Sequence, residues 1–239
     1  MLSGASLEQF VAAAIPFGLT LSPHQLGQFE QYLALLLEWN ERLNLTAIRE
    51  PEEIWVRHFL DSLSCAAATG NLNHLSLIDV GTGAGFPGLP LKIVFPDLRL
   101  TLAESVAKKT QFLQAVVTEL GLSEVTILAE RAETLGQQPD HREQYDWVVA
   151  RAVAGLPVLL EYLLPLCRVG GYVLAQKGEG AAEELARADN ALARLGGEVK
   201  EVKEVQVGTR PHHLITIGKT QATPQIYPRR PGIPTKRPL

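Results

Sequence analysis

The chain has 239 residues, 46% of them apolar, and carries a net charge of −4 at neutral pH. This composition supports a buried core and argues against an intrinsically disordered protein. The apolar runs fall short of the roughly 18 residues that a membrane span needs, and the N-terminus lacks a secretory signal pattern, so we expect no membrane association and a cytoplasmic location.

The first 65 residues or so show helical periodicity. In the segment 21–45, Ser22 is a suitable N-cap, Pro23 occupies the first helical position, and leucines recur every three, four or seven residues. A second helix begins at Pro51, with acidic residues in its first turn. These patterns predict an N-terminal helical region over residues 1–70.

From residue 75 onward, short β-favouring runs alternate with helical windows. The predicted strands are 76–80, 99–103, 125–129, 146–150, 171–176, 199–207 and 213–218, and the predicted helices are 88–95, 106–120, 156–166 and 180–195. Such alternation predicts an α/β fold, with a doubly wound, mostly parallel sheet over residues 71–220. Ligands of such a sheet bind beyond the carboxyl ends of the strands.

The two cysteines, Cys65 and Cys167, lie far apart in the chain and in apolar surroundings. Because neither has the spacing of a metal site or belongs to a disulfide framework, we expect two buried thiols and no metal.

Residues 221–239 form a proline-rich, basic tail. From Lys219 to the end the chain has five basic residues and no acidic one, which leaves a net charge of about −9 on the rest. The prolines predict an extended rather than helical tail, and the charge asymmetry favours contact with a polyanion. A merely solvated terminus is the alternative interpretation.

The segment LIDVGTGAGFPGLP, residues 77–90, contains two overlapping glycine patterns. Gly81, Gly83 and Gly85 form the first, and Gly83, Gly85 and Gly88 match the dinucleotide-binding fingerprint. Glycines between a strand and a helix permit a sharp turn and a close approach of the backbone to a ligand. The loop therefore predicts an adenosine cofactor, without saying which one.

Two acidic residues bear on the choice of cofactor. Asp79, just before the glycines, would repel a pyrophosphate and attract a cation such as a sulfonium. Glu104 ends the second predicted strand, where a carboxylate can accept hydrogen bonds from both ribose hydroxyls. The pair favours S-adenosylmethionine, although a turn-capping role for Asp79 and a helix-start role for Glu104 remain alternatives.

Several segments together resemble one narrow family, the bacterial small-subunit ribosomal RNA guanine-N7 methyltransferase G family, also called the glucose-inhibited division protein B family. They are WNERLNLTAIREPEEIWVRHFLDSL, DVGTGAGFPGLPLKI, ERAETL, YDWVVARAVA and YPRRPGIPTKRPL. The resemblance covers nearly the whole chain and implies the class I S-adenosylmethionine-dependent methyltransferase fold. It also implies methyl transfer to N7 of a guanine in the decoding-region loop of 16S ribosomal RNA, free or in the small subunit, by a monomer that does not bind DNA.

The resemblance also implies site residues. Carried over to this sequence, the cofactor contacts are Gly81, Phe86, Glu104, Ser105, Val106, Ala132, Glu133 and Arg151, to which the loop pattern adds Asp79, Gly83 and Gly85. One departure is Glu104, where many relatives have Asp; both side chains are carboxylates. For Phe86, packing at the junction of helix and sheet is the alternative.

Guanine N7 has a free lone pair and no proton to lose, so an in-line displacement needs no general base. Arg151, which ends the fourth predicted strand, and Lys177, after the fifth, are the candidates for lining the target pocket. Arg151 could instead form a structural ion pair with Asp79, Glu133 or another acid.

Phosphate contacts should come from basic side chains. The candidates are Lys108, Lys109, Arg131, Arg210, His212, Arg229 and Arg230. His58 and Asp61 lie three residues apart on one helix face, and we interpret them as a structural lock between helical region and sheet rather than as catalytic groups.

Two other functions fit parts of the sequence. A nicotinamide-dependent oxidoreductase could use the same glycines, but Tyr162 and Tyr172 lack the lysine of a Tyr-x-x-x-Lys motif. A non-catalytic RNA-binding assembly factor could retain the loop as a relic, although the intact Asp79, glycine and Glu104 set argues against it.

Overall fold

The computed structural model describes residues 4–151 and 153–239, and its N-terminal part is helical as predicted. The helices are α1 (Gly4–Ala14), α2 (Pro23–Leu43), α3 (Pro51–Ile54), the π-helical segment Trp55–Leu60, α4 (Asp61–Leu63) and α5 (Ala66–Thr69). The predicted cap of α2 is confirmed: the Ser22 side chain accepts a hydrogen bond from the Gln25 amide, and the Gln25 side chain accepts one from the Ser22 amide. The π-helical segment was not predicted.

The rest of the chain alternates strands and helices around one seven-stranded sheet. The strands are β1 (Ser76–Val80), β2 (Arg99–Ala103), β3 (Val125–Leu128), β4 (Tyr145–Arg151), β5 (Cys167–Lys177), β6 (Gly197–Val207) and β7 (Arg210–Lys219). Their order is β3-β2-β1-β4-β5-β7-β6, and β7 runs antiparallel to both of its neighbours. The predicted mostly parallel sheet is confirmed, with its topological switch between β1 and β4.

The helices between the strands are α6 (Gly88–Val94), α7 (Ala107–Glu119), α8 (Ala132–Leu135), α9 (Leu156–Leu163), α10 (Ala181–Ala186) and α11 (Asp189–Leu195), and α12 (Ile233–Lys236) follows β7. The single helix predicted over 180–195 is wrong, because the chain breaks at Arg187 and Ala188 and buries Ala188 under the sheet. Strand β5 begins four residues before the predicted start at 171, because Gly170 and Gly171 lie within the strand.

A separate hydrophobic core covers each face of the sheet. On one face, α1 to α7 pack on alternate strand residues such as Leu77 and Leu100, with Phe29 and Trp55 among the largest buried side chains. On the other face, α8, α9, α11 and Tyr227 of the tail pack on the residues between them. The N-terminal helices therefore share a core with the sheet rather than forming one of their own.

The tail differs from its prediction. Residues 233–236 form one helical turn, so the expectation of an entirely extended tail is wrong. Lys219 is buried at the end of β7, where its Nζ donates to the Leu164 carbonyl at 2.6 Å and lies 3.3 Å from Glu143 Oε1. The tail runs back over the protein surface, and its Tyr227 and Pro228 are buried.

Both cysteines are buried and unpaired, as predicted, and burial raises the pKa of each thiol. Across residues 4–151 and 153–239, no helix has the length and hydropathy of a membrane span. The same residues contain no cluster of three or more His, Cys, Asp or Glu side chains placed to hold a metal ion.

Candidate active site

The glycine loop follows β1 at the carboxyl edge of the sheet. A Cβ at Gly85 would lie 2.4 Å from Leu89 Cδ1 and 2.5 Å from the Tyr32 hydroxyl oxygen, so this glycine permits tight packing of the loop against α2 and α6. The Tyr32 hydroxyl donates to the Ala84 carbonyl. A Cβ at Gly83 would instead meet open space, so the loop is not packed against other protein atoms at this position.

Asp79 organises this loop from the buried side. Its Oδ2 accepts hydrogen bonds from the Thr82 hydroxyl at 2.6 Å and the Gly88 amide at 2.8 Å, whereas its buried Oδ1 has no partner among the described residues. Burial raises the pKa of Asp79 to about 6, although both hydrogen bonds oppose the shift. The carboxylate is fully buried, and its direct contact with the cofactor stays a prediction.

Glu104 connects the end of β2 with the same loop. Its Oε2 accepts the Gly83 amide at 3.0 Å and its Oε1 accepts the Val106 amide at 2.8 Å, while the Lys109 ammonium lies 4.0 Å away. Each carboxylate oxygen retains a further lone pair, which leaves Glu104 able to accept the predicted ribose hydroxyls.

A cavity of about 420 Å³ opens in front of the loop, and we call it the glycine-loop cavity. Its lining residues are Val80, Gly81, Ala103, Ser105, Glu130, Arg131, Ala132, Glu133, Val153, Ala154, Gly155, Val158, Tyr162 and Thr235. Among the predicted cofactor contacts, Gly81, Ser105, Ala132 and Glu133 therefore lie together on its wall. Asp79, Gly83, Gly85, Phe86, Glu104, Val106 and Arg151 are not part of that wall.

A second cavity, of about 550 Å³, lies next to the first, and we call it the Arg151 cavity. It is lined by Ile48, Arg57, His58, Asp61, Arg151, Val153, Ala154, Gly155, Gln176, Lys177, Gly178, Glu184, Val207, Arg210 and His212. The segment 153–155 lines both cavities, so it forms a wall that the two cavities share. Both predicted target-pocket residues, Arg151 and Lys177, line the second cavity.

Asp61 is the centre of the polar groups in the Arg151 cavity. Its Oδ2 accepts from Arg151 NH1 at 2.7 Å and its Oδ1 accepts from Gln176 Nε2 at 2.7 Å, while His212 Nδ1 lies 2.5 Å from Oδ1. These partners come from β4, β5 and β7, which confirms the predicted lock between the helical region and the sheet. The ion-pair partner of Arg151 is thus Asp61, and not Asp79 or Glu133.

His58 is held as a neutral imidazole with a defined tautomer. Its Nδ1 lies 3.2 Å from Arg151 NH2, which can only donate, so Nδ1 accepts and Nε2 carries the proton toward the Thr46 hydroxyl at 2.7 Å. Burial and then the Arg151 charge lower the pKa of His58 to about 4. The predicted direct pairing with Asp61 does not occur, because Arg151 stands between the two.

Phe86 packs where helix meets sheet. Its ring stacks on His58 at 4.6 Å between centroids and on Tyr32 at 5.5 Å, and the Arg151 guanidinium lies 5.1 Å from its centroid. This placement matches the alternative interpretation of Phe86 and makes the ring a support for Arg151.

Lys177 fixes the segment between the two cavities. Its Nζ donates to the Ala154 carbonyl at 2.5 Å and pairs with Glu184 Oε2 at 2.8 Å. Glu184 Oε2 in turn accepts the Leu156 amide at 2.6 Å, at the start of α9. The ammonium is therefore engaged by the protein in a positioning role.

The predicted RNA-binding cations divide into two groups. Lys108, Arg131, Arg210 and Arg230 are exposed, and Arg131 and Arg210 line the cavities. Lys109, His212 and Arg229 are engaged by Glu104, Asp61 and Glu161 respectively. The Arg229 guanidinium forms two hydrogen bonds with the fully buried Glu161 carboxylate, and its contact with phosphate stays a prediction.

Sequence reasoning did not assign Arg57, Gln176 or Glu184 to the site, and it named His58 and Asp61 only as a lock. The one local signal was the helical spacing of Arg57, His58 and Asp61, which places them on one side of a helix. Gln176 and Glu184 carried no signal, because their partners are distant in sequence.

Comparison with known proteins assigns the family. The family model "GidB: rRNA small subunit methyltransferase G" matches residues 25–214. A "Ribosomal RNA small subunit methyltransferase G" of Roseiflexus sp. (strain RS-1) is 53% identical over 98% of this chain and 100% of its own. The protein of the same name from Alkaliphilus metalliredigens (strain QYMF) is 50% identical over 93% of this chain and 94% of its own.

Solved structures support the fold. A methyltransferase described as SAM-dependent, from Aquifex aeolicus, matches 73% of this chain and 96% of its own with a TM-score of 0.54 and 18% identity. A 16S rRNA (adenine(1408)-N(1))-methyltransferase variant from Catenulisporales acidiphilia matches 64% and 88% with a TM-score of 0.53 and 16% identity. With the class I methyltransferase fold in place and a family model covering most of its length, the chain belongs to the GidB family of rRNA small subunit methyltransferases G.

Proposed function

We propose that this enzyme transfers a methyl group from S-adenosylmethionine to N7 of a guanine in the decoding-region loop of 16S ribosomal RNA. Membership of the family makes the chain a ribosomal RNA methyltransferase with S-adenosylmethionine as its cofactor. It does not support the nicotinamide oxidoreductase or the non-catalytic assembly factor. The target atom, the roles of individual residues, action on assembled subunits, a cytoplasmic location and a monomeric state belong to the proposal.

The observation that carries the proposal is the pair of neighbouring cavities that share the segment 153–155 as a wall. Methyl transfer requires a donor and an acceptor that reach each other in line but enter from different sides. The glycine-loop cavity provides one side of that segment and the Arg151 cavity the other. Their adjacency suits a donor in the first cavity and a flipped-out base in the second.

The residues of the glycine-loop cavity fit S-adenosylmethionine. A volume of about 420 Å³ lies within the roughly 300–1,000 Å³ of small-molecule sites. Among its lining residues, Glu133 can accept the adenine amino group. Glu104 precedes the lining residue Ser105 and can accept the ribose hydroxyls, and Gly83 leaves open space at the loop. The cofactor supplies the electrophilic methyl group on its sulfonium.

Asp79 acts behind the loop in this proposal. Its buried, unpaired Oδ1 lies under the glycines and contributes negative potential without occupying the cavity. In a site from which water is excluded, such a charge favours a cationic ligand over a pyrophosphate. We therefore assign the preference for a cationic cofactor to the electric field of the Asp79 carboxylate, and not to a direct contact between Asp79 and the cofactor.

Arg151 is the residue we assign to the acceptor base. Asp61 accepts a hydrogen bond from NH1 of Arg151, and the Phe86 ring packs against the guanidinium. These contacts fix the direction of the remaining N–H groups of Arg151. A guanidinium in the cavity can donate to guanine O6 and leave N7 free for attack. Because N7 needs no general base, the neutral His58 is required only as a support for Arg151, and rate comes from positioning.

The test compares two conservative variants. Arg151→Lys and Arg168→Lys each alter an Arg–Asp pair, at 2.7 Å and 2.6 Å, but at opposite edges of the sheet. With radiolabelled S-adenosylmethionine and unmodified small subunits, we expect Arg151→Lys to lower kcat/KM for RNA at least about tenfold, because lysine lacks the planar fork, with cofactor affinity nearly unchanged. Arg168→Lys should remain within about twofold of the unsubstituted enzyme.

The labelled base identifies the target atom. A methyl group on guanine N7 makes the RNA strand cleavable by reduction followed by aniline, and primer extension then locates the nucleotide. A label without such a cleavage site would contradict N7 as the acceptor. Equal activity of Arg151→Lys and Arg168→Lys would contradict the role of Arg151 while leaving the reaction intact.

A further inference from the structure

The last residues of the chain run along the outer side of the glycine-loop cavity. The Gly232 amide donates to Glu133 Oε1 at 3.2 Å, and the Thr235 hydroxyl lies 3.0 Å from the Tyr162 hydroxyl. Glu133, Tyr162 and Thr235 all line the cavity. Residues near the C-terminus therefore belong to its wall.

The tail is firmly anchored beside this wall. The Arg229 backbone amide donates to Glu161 Oε1 at 2.9 Å, and its guanidinium donates to both oxygens of that fully buried carboxylate on α9. Pro228 packs on Gly136, where an added Cβ would come within 2.8 Å of the proline ring. The anchors are thus α9 and the end of α8, which are the two helices that flank the outer side of the cavity.

Glu133 has one oxygen committed and one available. The Gly232 amide occupies Oε1, whereas Oε2 has no partner among the residues that the structure describes. An ionised carboxylate can only accept hydrogen bonds, and the adenine amino group is a donor. A base with an oxygen at that position, such as hypoxanthine, offers an acceptor and is disfavoured there.

We propose that residues 232–235 complete the adenine-binding end of the cofactor cavity by orienting Glu133 and closing the wall beside Tyr162. This inference rests on the proposed function, because it takes the glycine-loop cavity as the cofactor site. The tail is then a positioning segment for the cofactor. Its removal should affect selectivity for adenine, which a merely stabilising segment would not change.

The test measures dissociation constants by calorimetry for the product S-adenosylhomocysteine and for its inosine analogue, S-inosylhomocysteine. Both ligands are titrated into the full chain and into a variant ending at Pro231. This truncation keeps Pro228 and the Arg229–Glu161 pair. We expect the dissociation constant of the adenine form to rise about tenfold, because Glu133 loses its orienting donor, and that of the inosine form to change less than about twofold. Equal changes for both ligands, or none, would overturn the proposal.

If the truncated chain fails to fold, the double variant Tyr162→Phe with Thr235→Val tests the proposal instead. It keeps the shape of both side chains and removes the contact between their hydroxyls. We expect it to weaken binding of the adenine form about threefold, and unchanged affinity would overturn the proposal. Lys236→Ala, next to Thr235 but exposed and outside the cavity wall, is the control and should bind both ligands normally. If the unsubstituted enzyme binds neither ligand, the proposed function is contradicted. If it binds the ligands and methylates RNA, but the variants bind both ligands with the same affinities, only this inference is contradicted.

Discussion

Both oxygens of the buried Asp61 carboxylate, in the N-terminal helical region, have polar or charged partners. Removing a carboxylate from water costs several kcal/mol unless charged and polar partners replace the lost hydration. Arg151, Gln176 and His212 provide those partners from three different strands. The same contacts that offset the cost of burial fix the direction of the Arg151 guanidinium, so stability and positioning depend on the same atoms.

His58 should make the protein less stable in mild acid. The unfolded chain has an ordinary histidine pKa near 6.5 at this position, whereas the native pKa is lowered to about 4 by burial and by Arg151. Between those values the unfolded state binds more protons than the native state, so stability falls as pH drops from about 6.5 to about 4. The full contribution, on the order of 3 kcal/mol, is present above pH 6.5.

Urea unfolding at several pH values checks this prediction. We expect His58→Gln to show a weaker loss of stability between pH 6.5 and 4 than the unsubstituted protein. His24→Gln, at an exposed position near the start of α2, is the control and should leave the pH dependence unchanged. An identical pH dependence in the His58 variant would mean that this imidazole titrates normally in the native state.

At the residue scale, local sequence patterns predicted several site residues but not the contacts that these residues make with one another. The cap at Ser22 and the position of Gly81 beside a strand end follow from short-range sequence rules, whereas Ser105 and Glu133 are implied by the family resemblance. The partners of Asp61 do not, because Arg151 and His212 approach it only after the sheet has formed. The orientation of Asp79 could not be predicted either, since alternation along β1 does not say which face of the sheet the cofactor occupies.

The start of α9 depends on a side chain from a neighbouring helix. Gly155 precedes this helix and has no side chain to cap it, and Glu184 of α10 accepts the Leu156 amide instead. The same carboxylate holds Lys177, which binds the Ala154 carbonyl. One acid on α10 thus fixes the segment 153–155 between the two cavities.

Glu184→Ala should loosen that segment. We expect a loss of about 1–2 kcal/mol in the free energy of unfolding, because the Leu156 amide loses its acceptor and Lys177 loses its counterion. Turnover should fall as well, since the wall shared by the cavities is no longer held. Glu183→Ala, one residue earlier on the same helix and exposed, should change neither quantity appreciably, and a similar effect of both variants would contradict this role.

At the element scale, strands were easier to predict than the breaks within helices. All seven strands contain β-favouring runs whose centres agree with the structure, and in the central strands β1 and β4 burial on both sheet faces leaves a strong local pattern. The π-helical segment Trp55–Leu60 left no such pattern, since its residues also suit an α-helix. Its wider turn nevertheless carries His58 into the Arg151 cavity, and π-helical turns are common at functional sites.

Over the whole molecule, a net charge of −4 does not by itself attract RNA, so binding must depend on where the cations lie. Lys108 and Arg210 are exposed at the carboxyl edge of the sheet, near the two cavities. Arg99 is equally exposed but begins β2, at the opposite edge. Because both cavities lie at the carboxyl edge, we predict that the RNA-binding face is on that edge.

Salt dependence of RNA binding tests this distribution. Lys108→Ala and Arg210→Ala should each flatten the slope of log affinity against log salt concentration by about 0.7, as expected for one lost phosphate contact to single-stranded RNA. Arg99→Ala should leave the slope unchanged. A slope that responds to Arg99 and not to the other two would place the RNA on the opposite edge of the sheet.

During synthesis, the buried acids Asp61 and Glu161 both precede some of their basic partners in the chain. Asp61 is synthesised early but meets His212 only when β7 has been made, and Glu161 must wait for Arg229. Until then each carboxylate stays hydrated, and the surrounding apolar surface cannot close over it. A chain stopped before residue 229 therefore lacks the counterion of Glu161, so the interior around this carboxylate can close only after the Arg229 segment has been made.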